Sequence, residues 1–300
     1  MSSFSGRCAC AKKGGDMCNV ACLGEVVVDE YVELGARYVG GISFNVAWNL
    51  QQLGVHAEVF SLVGSDSEGY AIKELVNRHQ LGQQGIKIKR GRTALQRIVV
   101  REGGDRFFDG YDAGVLPELS FQEIPEKDLR RFGAIHVPLT SGQGVLLDTI
   151  VSSVRDVCKV ADFSTDSVAP HEVVPTIERY ASAYDLMFIA GERQYQPAIS
   201  QLAQKFPHKT FVLTLGAEGA RCFVGKGIFS QPALQVRKVV DTTGCTDAFQ
   251  AGFMARWLRD RDDQFGALMA GTLQAAKVAQ SLGATPCALN QGLAASNPSY

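Results

Sequence analysis

The chain has 300 residues, 46% hydrophobic and 20% charged, with a formal net charge of -1. That is enough chain for a full α/β core, with the composition of an ordinary globular protein. It excludes a general electrostatic pull toward nucleic acid or anionic membrane, and no apolar run reaches the ~18 residues of a membrane span.

The first stretch, MSSFSGRCACAKKGGDMCNV, is polar and lacks the apolar core of a secretory signal. A cytoplasmic location is therefore expected. Residues 1–19 read as a loosely ordered extension, and residues 20–300 as one α/β domain. Cys8, Cys10, Cys18 and Cys22 crowd this end, without the paired C-x-x-C spacing of a zinc site. Reduced thiols are the expectation, and a metal site the alternative. Cys158 and Cys222 lie in apolar, strand-like segments and read as packing residues.

The first strand is expected over Ala21 to Val28, a short apolar run of the buried kind. Gly40-Gly41 precedes a segment in which Val46, Ala47, Leu50 and Leu53 recur at helical spacing, stopped by Gly54. HAEVFSLVG reads as a strand, followed by a helix from Asp66, a natural N-cap, to about Gln80. From Gly85 to Gly114, IKIK and ALQRIVVRE alternate apolar and polar residues, the pattern of strands with one exposed face. Together with residues 31–39, residues 86–111 are expected to form a small β-sheet lid. Strand–helix units follow, with strands near AIHVPL, CKVADF, DLMFIA and TFVLTLG. This alternation predicts a mainly parallel sheet with helices on both faces. An antiparallel section from Ala220 to Val240 turns at Gly225-Lys226-Gly227, and helices over 246–258 and 264–282 close the fold.

The chemistry concentrates in VVDTTGCTDAF, where a strand is expected to run through a polar turn into a helix. First-turn N–H groups have no intrahelical partners and face positive dipole potential, so this end suits a phosphate. Gly244 lets backbone approach a ligand closely. Asp247 would repel a phosphate, yet it suits a hydroxyl that must lose a proton while attacking one. The bland reading is that Asp247 caps the helix. Asn45, near the start of another helix, either contacts a sugar hydroxyl or caps its own helix. TLGAEGA, residues 214–220, is a third glycine-containing turn at a strand end, where ligands of parallel sheets collect.

Together these segments resemble the ribokinase-like (PfkB-type) carbohydrate kinases over roughly residues 21–284. Gly40-Gly41, Asn45-Val46-Ala47 and Leu53-Gly54 match the N-terminal signature of that family. Asp241 to Gly244, Asp247-Ala248-Phe249 and Ala251-Gly252-Phe253 match its C-terminal one. The resemblance implies the ribokinase-like α/β fold and transfer of the γ-phosphate of ATP to a primary hydroxyl, aided by Mg²⁺ and a monovalent cation, K⁺. Asp247 would be the base, with Gly244, Cys245 and Thr246 completing an anion hole. Thr214, Gly216, Gly219 and Thr243 would serve the nucleotide, and Asp29, Gly40, Gly41 and Asn45 the substrate. K⁺ would sit between the loop before Asp247 and residues 281–284. A homodimer through the lid is also implied.

The finer resemblance is toward the fructoselysine 6-kinase branch, through DRFFDGYDAGV, ADFS and GTLQAAKVAQSLGA. Arg106 and Asp109 would meet the charged groups of an amino-acid-bearing sugar; the alternative is a solvated lid edge. Two departures stand out. Thr246 replaces a glycine of the signature, which is strained only if that position needs positive φ. Ala190 and Arg193 stand where the family has the Asn and Glu of an NxxE element that organises magnesium; Glu192, one residue off, is the stand-in. These departures motivate a second reading, a non-catalytic sugar- or nucleotide-binding protein on the same fold. A nucleoside kinase is the rival within the family. No Walker GxxxxGK[ST], protein-kinase signature or GxGxxG is present.

Overall fold

A computed structural model describes residues 18–82, 84–120, 124, 126–139, 144–164 and 169–289. Cys8 and Cys10 lie outside the described residues. The chain opens with β1 (Val20–Leu23) and β2 (Val27–Tyr31). These are two strands where the sequence suggested one, because Gly24, at φ 136°, breaks the apolar run. The two halves enter different sheets. An unbroken apolar run has no period that could reveal such a split.

β3 (Ala36–Gly40) returns antiparallel to β2 and feeds α1 (Ile42–Gln52). β4 (Ala57–Gly64) and α2 (Ser67–Arg78) follow, with α2 capped by Asp66, which accepts from the Gly69 N–H as expected. β5 (Ile86–Lys89) is the IKIK segment, and here the lid expectation is corrected. β5 pairs in parallel with β4, at the edge of the large sheet. Alternation marks a strand with one covered face and does not say which sheet covers it. The small sheet is completed by β6 (Leu95–Val100) and β7 (Arg106–Asp112), in the order β3-β2-β6-β7.

The strand–helix units then run α3 (Glu126–Leu129), β8 (Ala134–Leu139), α4 (Gly144–Ser153), β9 (Cys158–Ser164), α5 (Val173–Ala181), β10 (Leu186–Ala190), α6 (Gln196–Lys205) and β11 (Thr210–Thr214). A hairpin, β12 (Ala220–Val224) and β13 (Gly227–Gln231), closes the nine-stranded sheet, ordered β13-β12-β11-β10-β9-β8-β1-β4-β5. Every pair from β5 to β11 is parallel, and the last two strands are antiparallel. Residues 232–244 form no regular element. The phosphate-suited helix, α7 (Cys245–Trp257), is thus entered from a loop and not from the expected strand. α8 (Gln264–Val278) packs against it and ends before the expected residue 282. Among the described residues no helix is long and apolar enough to cross a membrane.

Helices cover both faces, and the strands divide their side chains by the period of two. Val20, Cys22, Leu186 and Phe188 face the core that holds α1, α7 and α8. Ala21, Leu23, Met187 and Ile189 face the core that holds α4, α5 and α6. α7 and α8 approach closely because glycines meet between them. A Cβ on Gly252 would stand 2.4 Å from the Ala270 carbonyl, and one on Gly271 2.8 Å from that of Phe249. Gly252→Val must therefore push the helices apart. It is expected to lower stability by about 2–3 kcal/mol, read as an earlier urea midpoint with unchanged slope.

Candidate functional site

The start of α1, the start of α7 and the small sheet converge on a cavity of about 280 Å³. Its floor includes Asn45 from α1, Gly244, Thr246 and Asp247 from α7, and Asp162 from the carboxyl end of β9. Asp29 of β2 and Glu25 of the β1–β2 junction form one wall. Gln96, Arg106, Phe108 and Tyr111 close the lid side. The glycine pair of the N-terminal motif permits this closeness. A Cβ on Gly40 would lie 1.9 Å from the Asp29 carboxylate, and one on Gly41, at φ 95°, 2.7 Å from the Glu25 carbonyl.

Asp247 is the third residue of α7 and only 8% exposed. Asn45 donates from Nδ2 to Asp247 Oδ2 at 2.8 Å. Neither side chain caps its own helix: Gly244 and Gly41 occupy the N-cap positions. The Asn45 Oδ1 is buried with no protein partner. Beyond Gly244, at φ 74°, the Ala248 N–H makes the first full helical bond. The Thr246 and Asp247 N–H groups have no partner among the described residues. Thr246 is itself helical and without positive φ, so its β-branched side chain is unstrained. The special backbone falls on Gly244, where a Cβ would meet Ala284 at 2.3 Å.

Three buried carboxyls share this space, and burial is the main cause of each displacement. Asp247 is pushed up to about 6 by burial, with its Asn45 hydrogen bond and Arg106 opposing. Asp29 reaches about 8 through burial, then the charges of Asp247, Asp241 and Glu25, against Arg106. Asp162 reaches about 7 through burial, reinforced by Asp247 and Glu25 and opposed by Gln250. The order separates one group that ionises near neutrality from two that hold their protons longer.

Asp241 braces the loop before α7. Its fully buried carboxylate accepts from Tyr31 Oη at 2.6 Å, the Gly283 N–H at 2.9 Å, and Thr243 N–H and Oγ1 at 2.8 and 2.7 Å. Thr243 is thereby fixed in the cavity wall. Arg106 reaches the Thr242 carbonyl at 3.4 Å and lies over the Phe108 ring.

The remaining expected residues lie outside the lining. Cys245 opens α7, but burial pushes its thiol up to about 12, so it stays neutral. Asp109 is exposed as the extra residue of a bulge where Ile98 pairs with Phe108 and Arg97 with Gly110, so Arg106 reaches the cavity without it. Thr214 sits one strand beyond Ala190, which does line the cavity. Gly216 and Gly219 follow it, at φ 57° and 96°. Glu192 is exposed and accepts from Gln194. Arg193 pairs with Glu218 of the glycine-containing turn. Among the described residues no three His, Cys, Asp or Glu side chains converge to hold a metal.

Sequence reasoning gave no role to Glu25 or Tyr31, nor to Asp241 and Asp162, although the last two stand inside quoted motifs. Glu25 interrupts an apolar run and Asp162 stands near a strand's carboxyl end, which are the signals available to find them.

Residues 17–291 match a family described as pfkB family carbohydrate kinase. Fructosamine kinase FrlD of Bacillus subtilis is 24% identical over 80% of this chain and 84% of its own. Fructoselysine 6-kinase of Escherichia coli is 25% identical over 89% of this chain and 100% of its own. Among solved structures, a double mutant of Vibrio cholerae fructokinase bound to fructose, ADP and potassium superposes with a TM-score of 0.76. It is 19% identical, over 92% of this chain and 96% of its own.

The buried carboxyls set a pH dependence of stability. Their folded pKa values are raised, so the folded chain holds protons that the unfolded chain releases above about pH 4. Stability should fall as pH rises from about 4 to 8. Asp29→Asn is expected to flatten that fall and to be more stable than the parent at pH 8 by about 1 kcal/mol or more. Urea midpoints measured across this range check it.

Proposed function

The chain belongs to the pfkB family of carbohydrate kinases, and on that premise we propose that it transfers the γ-phosphate of ATP to a primary hydroxyl of a sugar or sugar derivative, with Asp247 as base. The carrying observation is the buried Asn45–Asp247 pair beside two unpartnered N–H groups at the start of α7. A phosphoryl group needs amides to hold its charge, and its attacker needs a base in line with it. Both functions fit the same helical turn.

In this reading Asp247, near 6, is largely ionised at neutral pH and takes the proton of the attacking hydroxyl. Asp29, raised to about 8, retains its proton at neutral pH and donates a hydrogen bond to a sugar oxygen, and Asp162, raised to about 7, does so in its protonated fraction, about half. Asn45 holds the Asp247 carboxylate and offers its unpaired Oδ1 to the substrate. Gly40 and Gly41 keep that wall open, and Gly244, Cys245 and Thr246 supply the backbone around the transferred group. Thr214, Gly216, Gly219 and Thr243 are assigned to the nucleotide.

The side chains do not fit a resident Mg²⁺ site: Glu192 faces solvent, and among the described residues the cavity carboxyls do not converge into a group of three that could hold a metal ion. Mg²⁺ is therefore assigned to the nucleotide, and no step here runs through it. K⁺ fits better, because the Thr242 hydroxyl is buried without a protein partner beside the loop that Asp241 ties to Gly283. A fructosamine such as fructoselysine is the proposed substrate, supported by Glu25 and Arg106 in one cavity and by the relatives' activities. Val32 and Leu34, exposed in the turn between β2 and β3, and Phe107, exposed on β7, support a homodimer through the lid. The binding-protein reading loses one of its two motives, since Thr246 is unstrained.

Asp247→Asn should cut kcat about 10²–10⁴-fold while ATP still raises the melting temperature. ADP release across fructosamines, fructose, ribose and nucleosides checks this. Turnover unchanged in the variant would remove the assigned base, and no turnover by the parent would favour a binding protein. The kcat/KM of the parent should rise through a pKa near 6 as pH increases. Thr246→Gly is expected to lose roughly 0.5 kcal/mol of stability without gaining turnover, because the helical backbone there already accommodates threonine. A gain in turnover would show the side chain obstructing the anion hole.

A further inference from the structure

α8 carries an apolar surface that the kinase site does not use. Phe265, Met269 and Leu273 are 62%, 40% and 54% exposed. They recur at i, i+4 and i+8, so they form one ridge along the helix. Residues 264–276 carry no charge, although this face meets solvent. Single exposed apolar side chains are ordinary, but a continuous ridge of three large ones is not. The Phe265 ring stacks edge-on against Phe229 of β13, with centroids 5.1 Å apart. That contact anchors the ridge at one end and leaves its outer side open.

The flanking charges say what covers it. Asp262, exposed, stands just before the helix, and Lys277, exposed, is the next residue along the ridge after Leu273. Met269 lies midway between Phe265 and Leu273, and also close to midway between Asp262 and Lys277. Arg261, the strict mirror position of Lys277, lies over the Trp257 ring of α7, so the exposed pattern is nearly self-complementary on reversal. We propose that α8 is a two-fold interface between two copies of this chain, packed antiparallel about Met269. Phe265 of one copy meets Leu273 of the other, and Lys277 of each meets Asp262 of the other. Such an isologous contact closes on itself and leaves no free end for a chain of copies. It lies on a different element from the lid and does not depend on the kinase reading.

Sedimentation of the full chain over a concentration series tests the proposal. The parent should self-associate, and Phe265→Glu or Met269→Glu should each remove one step of association, halving the mass of the species. ATP turnover should stay at the parental value, since these side chains are outside the cavity, and the urea midpoint of Met269→Glu should match that of the parent at a concentration where the parent is dissociated. Lys277→Glu breaks two ion pairs, one at each end of the interface, and should weaken the association by up to roughly thirtyfold, the upper range for two exposed pairs. Adding Asp262→Lys to that variant should restore it. An unchanged mass in the Phe265 and Met269 variants would overturn the interface. Weakening by Lys277→Glu without rescue by Asp262→Lys would overturn the antiparallel register. A parent that remains monomeric at its highest soluble concentration would assign the ridge to another protein and overturn the proposal.

Discussion

The buried carboxylate of Asp241 is the constraint on which the site depends. It takes four hydrogen bonds from three segments far apart in the chain: the small sheet through Tyr31, its own loop through Thr243, and the loop after α8 through Gly283. A fully buried carboxylate is costly unless its oxygens are satisfied. Here satisfaction also fixes where the loop delivers Gly244, and so where α7 begins. The same loop is held from the lid by the Gly104 carbonyl and Arg106, which both meet Thr242. The small sheet, the loop before α7 and the start of α7 are therefore positioned by one polar knot.

Around that knot the cavity is acidic, with Glu25, Asp29, Asp162 and Asp247 facing a single arginine. Packing them together would be self-defeating if all were ionised. Burial resolves the conflict unequally. Asn45 and Arg106 favour the charged form of Asp247, whereas Asp29 and Asp162 feel Asp247 as a like charge and rise further. Asp247 is thus the most readily ionised of the three raised carboxyls, as the proposed base must be, and its ionisation helps keep its neighbours protonated.

Much of this was legible in the sequence because it rests on local pattern. The strand–helix alternation implies the parallel sheet, Asp66 caps α2, and the two glycine-containing motifs mark both ends of the Asn45–Asp247 contact. What was not legible depends on long-range pairing. IKIK alternates in the same way whichever sheet receives it, and ACLGEVVV conceals a break between two sheets. Asp109 shares a strand with Arg106, but a bulge in the register with β6 separates their destinations. The partners of Asp241 include residues 210 and 42 positions away, beyond any periodicity. Whether Thr246 is strained depended on which residue of the turn carries positive φ, a property of the loop as a whole.

The two departures from the family signature then have different weights. Thr246 is conformationally harmless, because Gly244 bears the left-handed turn and the helix has already started. The loss of the NxxE element changes more. Ala190 presents no polar group to the cavity, and Arg193 turns instead to Glu218, joining the loop after β10 to the turn after β11. An exposed ion pair of this kind contributes little stability, but it couples two loops at adjacent strand ends. On the proposed reading, charge control around the phosphates falls to the α7 backbone, the nucleotide's own cation and Arg106. Among the described residues Arg106 is the single basic side chain in the cavity lining, and it belongs to the small sheet. On that reading phosphoryl transfer is tied to the position of the small sheet, because moving the sheet would move the one cationic side chain that the described residues place in the cavity with Asp247.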